Sequence, residues 1–139
     1  MKVIGINGRD YTINLGKYDA RRNKSRSNRS KFHLRARDLI CAKYNSYIVL
    51  EEVKLPGSSK KGSYLYLDFF IPNLKLAVEV HGQQHYEYTP FFHKSRAEFL
   101  IGQNRDEAKA EWCELNNIRL VIFKYSETDD EWREKLCGT

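Results

Sequence analysis

The stretch LYLDFFIPNLKLAVEVHGQQH, residues 65–85, carries two apolar runs around a Pro-Asn pair. Tyr64–Ile71 and Leu74–Val80 read as neighbouring strands, and Pro72-Asn73 reads as the turn that joins them. Acidic Asp68 interrupts the first run, and Glu79 and His81 interrupt the second. A carboxylate inside an apolar strand is costly unless it is paired, protonated or bound to a cation. The two-residue strand repeat places Ala77, Glu79 and His81 on one face and Leu76, Val78 and Val80 on the other. A hairpin closed at Pro72-Asn73 sets Asp68 across from the Glu79/His81 face. Two carboxylates and an imidazole converging there describe a divalent-metal hydrolase site better than a core.

Outward from this hairpin, the pattern predicts a short hairpin over 2–15 turning at Asn7-Gly8, then a basic linker over 16–30. Ser30 is placed to cap a helix over 31–45 whose apolar face is Phe32, Leu34, Leu39, Ile40 and Ala42. Tyr47–Leu55 reads as a strand stopped by Pro56-Gly57, and 58–63 as a loop. Residues 83–97 look irregular. A helix over 103–117 follows, with Ala108, Trp112 and Leu115 as its buried stripe, then a strand over Ile118–Lys124 and a short helix over Glu131–Leu136. Helix, three strands, helix, strand is the order of a mixed α/β core, a central sheet flanked by helices.

The 139 residues are enough for one domain with a real core, and 41% hydrophobic with 30% charged residues is a globular composition. An apolar run of about 20 residues is absent, so no membrane span is expected. The N-terminus lacks a secretory pattern, and Cys41, Cys113 and Cys137 fit neither a disulfide framework nor a zinc knuckle, which points to a reducing cytoplasm. The net charge is +6, and its placement matters more than its size. Lys17 to Arg37 holds nine Lys/Arg against Asp19 alone, whereas Glu127 to Glu134 holds five acids and one Arg. A basic block interspersed with Ser and Asn suits a segment that tracks phosphates; Arg21, Arg22, Lys24, Arg26, Arg29 and Lys31 are its candidate contacts.

His81 and His85 bracket Gly82, which is expected to let the backbone turn the second histidine toward the first. Histidines near neutral pKa can activate water or protonate a leaving oxygen. His33 and His93 lack that context and read as surface or phosphate-contacting groups. Asp106 and Lys109 lie one turn apart on the 103–117 helix, and spacing alone favours an exposed pair there. Glu51 and Glu52 are either a further ligand or a solvated edge.

Two segments, LDFFIPNLKLAVEVHGQQHY and QNRDEAKAEWCELNNIRLVIF, together resemble the very-short-patch-repair-like branch of the PD-(D/E)XK nuclease superfamily. That branch includes mismatch-nicking repair endonucleases and homing endonucleases of phage introns. The matched features are a strand Asp, a turn with Pro, a strand ending in His-Gly, a second His, an Arg-Asp helix and an apolar strand, over about residues 60–125. The resemblance implies a restriction-endonuclease-like core over 31–139, ending in the acidic tail, preceded by a hairpin and basic arm over 1–30. It implies Asp68 as principal metal ligand, the Val80 carbonyl as a further one, His81 and His85 acting on water and leaving group, and Asp106 supporting a histidine. Glu79 matches the superfamily spacing Asp68-x10-Glu79-x-His81, with His81 where a lysine is customary. Mg²⁺ is then the expected cofactor, with Mn²⁺ able to substitute, and DNA the expected partner. Gln83, Gln84, Arg105 and Lys109 join the basic arm as candidate DNA contacts. Cysteines are absent near the histidine turn, so structural zinc is not expected. The polar Gln83-Gln84 pair stands where mismatch enzymes carry wedge aromatics, which favours a homing or phage-type endonuclease over a nicking repair enzyme. A bacterial or phage-infected cytoplasm is the matching setting, and cutting both strands would call for a homodimer or larger complex. A non-catalytic DNA-binding module and a protein-interaction subunit are the alternatives from other classes.

Overall fold

The period-two runs of the chain's middle become strands of one sheet. The computed structural model describes residues 1–22, 30–58, 64–88, 93 and 95–137. Strands β1 (Lys2–Ile4) and β2 (Asp10–Thr12) form a small antiparallel hairpin, with Gly8 in its turn at φ +80°. Helix α1 (Lys31–Lys43) follows, its first turn closed by the Ser30 hydroxyl, which accepts from the His33 N–H. Strands β3 (Leu50–Leu55), β4 (Leu65–Ile71) and β5 (Leu76–His81) are successive antiparallel neighbours. Helix α2 (Arg96–Leu115) then crosses over to β6 (Arg119–Lys124), which lies parallel to β5, and α3 (Asp129–Leu136) ends the described chain. The four-stranded sheet runs β3-β4-β5-β6. The result is a mixed α/β domain, as the order of elements predicts.

Two apolar layers cover the sheet. On one face Ala36, Leu39 and Ile40 of α1 and Trp132 and Leu136 of α3 pack on Phe69, Ile71, Val78 and Phe123. On the other, Trp112 and Cys113 of α2 and Val3 and Ile13 beside the small hairpin pack on Leu50, Val53, Leu67 and Ala77. The sheet is therefore buried on both sides, and a charged side chain inside it must find a partner there.

Several expectations shift. Helix α2 begins at Arg96, seven residues ahead of the pattern, because Ser95 caps it by accepting from the Glu98 N–H. Its buried residues are Trp112 and Cys113, and Leu115 is exposed. On α1 the buried face holds His33 and Arg37 beside Ala36, Leu39 and Ile40, while Ala42 is exposed. Hydropathy misses two of those positions because Glu51 of β3 partners both side chains, a contact no local pattern contains. The acidic run of the tail is the N-terminus of α3, where Thr128 and Glu131 form a reciprocal cap and the acids meet the positive end of the helix dipole.

Candidate active site

The site begins where two strands part. Strand β4 pairs with β5 only through Phe69–Val78, Phe70–Ala77 and Ile71–Leu76. One step further, where Asp68 and Glu79 would face each other, the ladder ends. The Val80 N–H instead donates to Asp68 Oδ2 at 2.8 Å, so a side-chain carboxylate takes the place of a main-chain acceptor. On the other side of β4 the register steps from Glu51–Phe69 to Val53–Leu67, and Glu52 stands at φ +50°. Leu67 and Phe69 share strand parity yet pack on opposite faces of the sheet. Strand β4 thus turns over at Asp68, whose carboxylate sits on the seam between the two faces.

Helix α2 completes the face that carries Glu79. Glu79 is buried at 3% exposure, and its Oε1 has no hydrogen-bond partner. The Lys109 ammonium lies 3.0 Å from that oxygen as an ion pair, off the direction of a hydrogen bond. Burial, then the charge and hydrogen bond of Asp68, push the Glu79 carboxyl well above the usual range, with Lys109 pulling the other way. Burial works against the charge of Lys109, yet Glu79 and then Asp68 outweigh it and raise that ammonium.

One turn earlier on α2, Asp106 holds the histidines. The 3₁₀ turn Gln83–His85 folds the His85 ring flat on the His81 ring, with centroids 4.0 Å apart and planes 5° apart. Gly82 there has an ordinary extended φ of −79°, so the turn does not need glycine's freedom; the Gln84 side chain occupies the space of a Cβ. Asp106 Oδ2 lies 2.9 Å from His85 Nδ1, and Oδ1 lies 4.0 Å from His81 Nε2. Burial works against the Asp106 charge, but the hydrogen bond and charge of His85 prevail and keep it ionised. An ionised carboxylate only accepts, so His85 donates to it through Nδ1, which fixes the orientation of the ring. His81 Nδ1 lies 3.2 Å from the Tyr86 hydroxyl. Burial, then the neighbouring His85, bring the His81 pKa down to about 4, so the ring is neutral at pH 7.

The opposite face supplies a second buried network. His33 of α1 stacks on Phe69 with centroids 4.7 Å apart, its Nδ1 4.0 Å from Asp68 Oδ1 and its Nε2 3.3 Å from Glu51 Oε2. Arg37 grips both oxygens of Glu51, at 2.6 and 3.0 Å. Glu51 is thus a buried partner of α1, and Glu52 lines the open cleft.

The sequence-derived residues therefore divide. Asp68, Glu79, His81, His85 and Asp106 come together, Val80 joins them through its N–H, and Lys109 belongs to the site as the partner of Glu79 rather than to an exposed pair with Asp106. His33 and His93 are buried, not surface groups, and His93 lies between the rings of Tyr88 and Phe99. Arg21 donates to the carbonyls of Tyr47 and Tyr44 at 2.6 and 2.9 Å, holding the C-terminal end of α1 instead of facing a phosphate. Arg22, Lys31 and Arg105 are exposed; Gln83 is bonded to Glu87, and Gln84 lines a hollow of about 300 Å³ with His85 and Arg105. Lys24, Arg26 and Arg29 lie outside the described residues. What the sequence alone missed was His33 and the Glu51–Arg37 pair, which an alternating LEEVKL strand could signal only by its two adjacent acids.

Two donor sets could hold a metal. The acidic pair, whose buried Glu79 Oε1 is ion-paired to Lys109 but takes no hydrogen bond, fits a hard divalent cation. The nitrogens and oxygens of His81, His85 and Asp106 lie within 4.8 Å of one another, and imidazole donors suit a transition metal better than Mg²⁺. The two rings, stacked parallel, direct their nitrogens side by side over one carboxylate. That is an arrangement for proton handling, and it would have to open to form a tetrahedral site.

Three curated relatives share about half of this chain. The uncharacterized protein 307L of Invertebrate iridescent virus 6 is 42% identical over 73 residues, 52% of this chain and 37% of its own. The uncharacterized protein 033L of Invertebrate iridescent virus 3 is 37% identical over 65 residues, 47% of this chain and 34% of its own. The uncharacterized protein 094L of Frog virus 3 is 39% identical over 71 residues, 50% of this chain and 46% of its own. The match thus spans less than half the length of each. No family model matches the chain, and no solved structure does.

Proposed function

We propose that the protein is a divalent-metal-dependent DNA endonuclease that hydrolyses a phosphodiester and leaves a 5′ phosphate. The observation that carries this reading is the meeting of Asp68 and buried Glu79 at the point where β4 and β5 part, with one Glu79 oxygen lacking a hydrogen-bond partner. Asp68 and Glu79 are the residues that would hold Mg²⁺ or Mn²⁺, with the Val80 main chain alongside. A cation bound there supplies charge neutralisation at the phosphate and a lowered pKa for bound water. The Lys109 ammonium favours the charged form of Glu79 against its burial. Neutral His81, or His85 held by Asp106, takes the proton of the attacking water or returns one to the leaving 3′ oxygen. Exposed Arg22, Lys31 and Arg105 hold the strand by its phosphates. A homing or phage-type role comes first and nicking repair second.

The test is cleavage of supercoiled plasmid by the wild type and Asp68→Ala in Mg²⁺, Mn²⁺ and EDTA. We expect nicked or linear product only with metal, and at least a hundredfold loss in the folded variant, about 2.7 kcal/mol in the barrier. Equal cutting by Asp68→Ala would sink the assignment. Salt-sensitive DNA binding with no cutting by either protein would favour the DNA-binding module instead.

A further inference from the structure

Asp68 ends a row of side chains that the catalytic reading leaves unused. Along the start of β4, Leu65 and Leu67 are buried, while Tyr64 and Tyr66 alternate with them at 53% and 50% exposure. Among the described residues these are the two most exposed aromatic rings, and they stand on consecutive same-face positions. Tyr64, Tyr66 and Asp68 line one cleft of about 530 Å³, together with Glu52, Leu65, Arg105 and Lys109. The Lys54 ammonium sits 3.5 Å from the centre of the Tyr64 ring, so a cation backs one of the two rings. Lys54 also faces Tyr66 across the β3–β4 ladder. The cleft thus has an aromatic floor leading to Asp68, a cation beside the floor, and Arg105 and Lys109 from α2 around it.

We infer that this cleft is the track of an unpaired DNA strand, with Tyr64 and Tyr66 stacking on the bases beside the bond to be cut. The inference rests on the nuclease reading and names its substrate class. A duplex hides its base faces in its own stack and offers phosphates and groove edges, for which cations alone would serve. Exposed rings gain from a nucleic acid only when base faces are free. The spacing agrees. Same-face positions on a strand repeat at about 6.6 Å, twice the ~3.4 Å rise of stacked bases along one strand. Successive bases can alternate with two rings set that far apart only when they are not stacked on each other. Arg105 then meets the phosphates, and the strand runs on to Asp68.

The test is fluorescence anisotropy with the full chain in EDTA, so that binding is read without cutting. The probes are a labelled 20-nucleotide oligo-dT and a 20-base-pair duplex, at two salt concentrations. We expect the single strand to bind more tightly than the duplex. Tyr64→Ala/Tyr66→Ala should weaken single-strand binding on the order of tenfold per ring. Tyr64→Phe/Tyr66→Phe, which keeps the ring faces, should bind like the wild type, and circular dichroism checks that both variants fold. The inference is overturned by any of three outcomes. These are duplex binding as tight as single-strand binding, a folded Ala variant that binds the single strand like the wild type, or no salt-sensitive binding of either probe. A protein that binds the oligonucleotide through these rings yet cuts nothing in Mg²⁺ would fail the nuclease reading alone.

Discussion

His81 shows how one residue's surroundings set its chemistry. An ordinary imidazole titrates near 6.5, but burial and the facing His85 bring this one down to about 4. The folded protein therefore binds fewer protons than the unfolded chain between those two values. Above about pH 6.5 the group adds nothing to the pH dependence. As pH falls from there toward 4, stability drops, by up to about 3 kcal/mol for this group. Melting temperature followed from pH 7.5 to 4 should decline in the wild type and decline less in His81→Gln. Parallel curves would show that the ring is not held neutral by the fold. The same residue reads differently in the sequence, where a histidine after a strand is a candidate and its protonation state is unknowable. Asp68 and Glu79 were legible, because a carboxylate within an apolar run demands an explanation. Their partners Lys109 and His33 were not, since each arrives from a helix 30 or more residues away by chain numbering.

At the scale of elements, α1 is joined to the sheet by charge as much as by apolar contact. Arg37 and Glu51 are both buried, and both oxygens of Glu51 are taken. Removing one partner strands the other in a dry interior, whereas replacing both with apolar groups of similar size removes the problem. Arg37→Met should cost about 3–5 kcal/mol in a denaturant titration, and Arg37→Met/Glu51→Leu should recover most of it. Additive losses in the double variant would show that the pair is not coupled. The sequence placed α1 and its Ser30 cap correctly, since capping is chemistry local to one turn. It assigned the buried face from hydropathy, and so left out the two polar positions, His33 and Arg37, that Glu51 of the sheet partners.

For the whole molecule, the charge asymmetry expected from the sequence resolves into two kinds of residue. Arg21 and the acids of α3 are spent on holding helix ends, while Arg22, Lys31, Lys54 and Arg105 remain outward or at the cleft. Binding to single-stranded DNA should therefore weaken as salt rises, with a log–log slope set by a handful of phosphates at about −0.7 for each. Arg105→Ala should make that slope shallower by nearly one such unit in a salt titration, and Arg21→Ala should leave it unchanged while lowering stability. An unchanged slope in Arg105→Ala would remove it from the binding surface. No described helix is long and apolar enough to cross a membrane.

The sequence by itself determined the element order, the hairpin around Pro72-Asn73 and the carboxylates on it, because turns, caps and the two-residue strand repeat are local physics. Only the tertiary structure decided where β4 and β5 separate and which helix residues close on the gap. Parting a ladder depends on β4 turning over between two packed layers, and burying Glu79 depends on Lys109 arriving from helix α2. Those are long-range balances of desolvation against charge, and no window of the chain contains both sides of them.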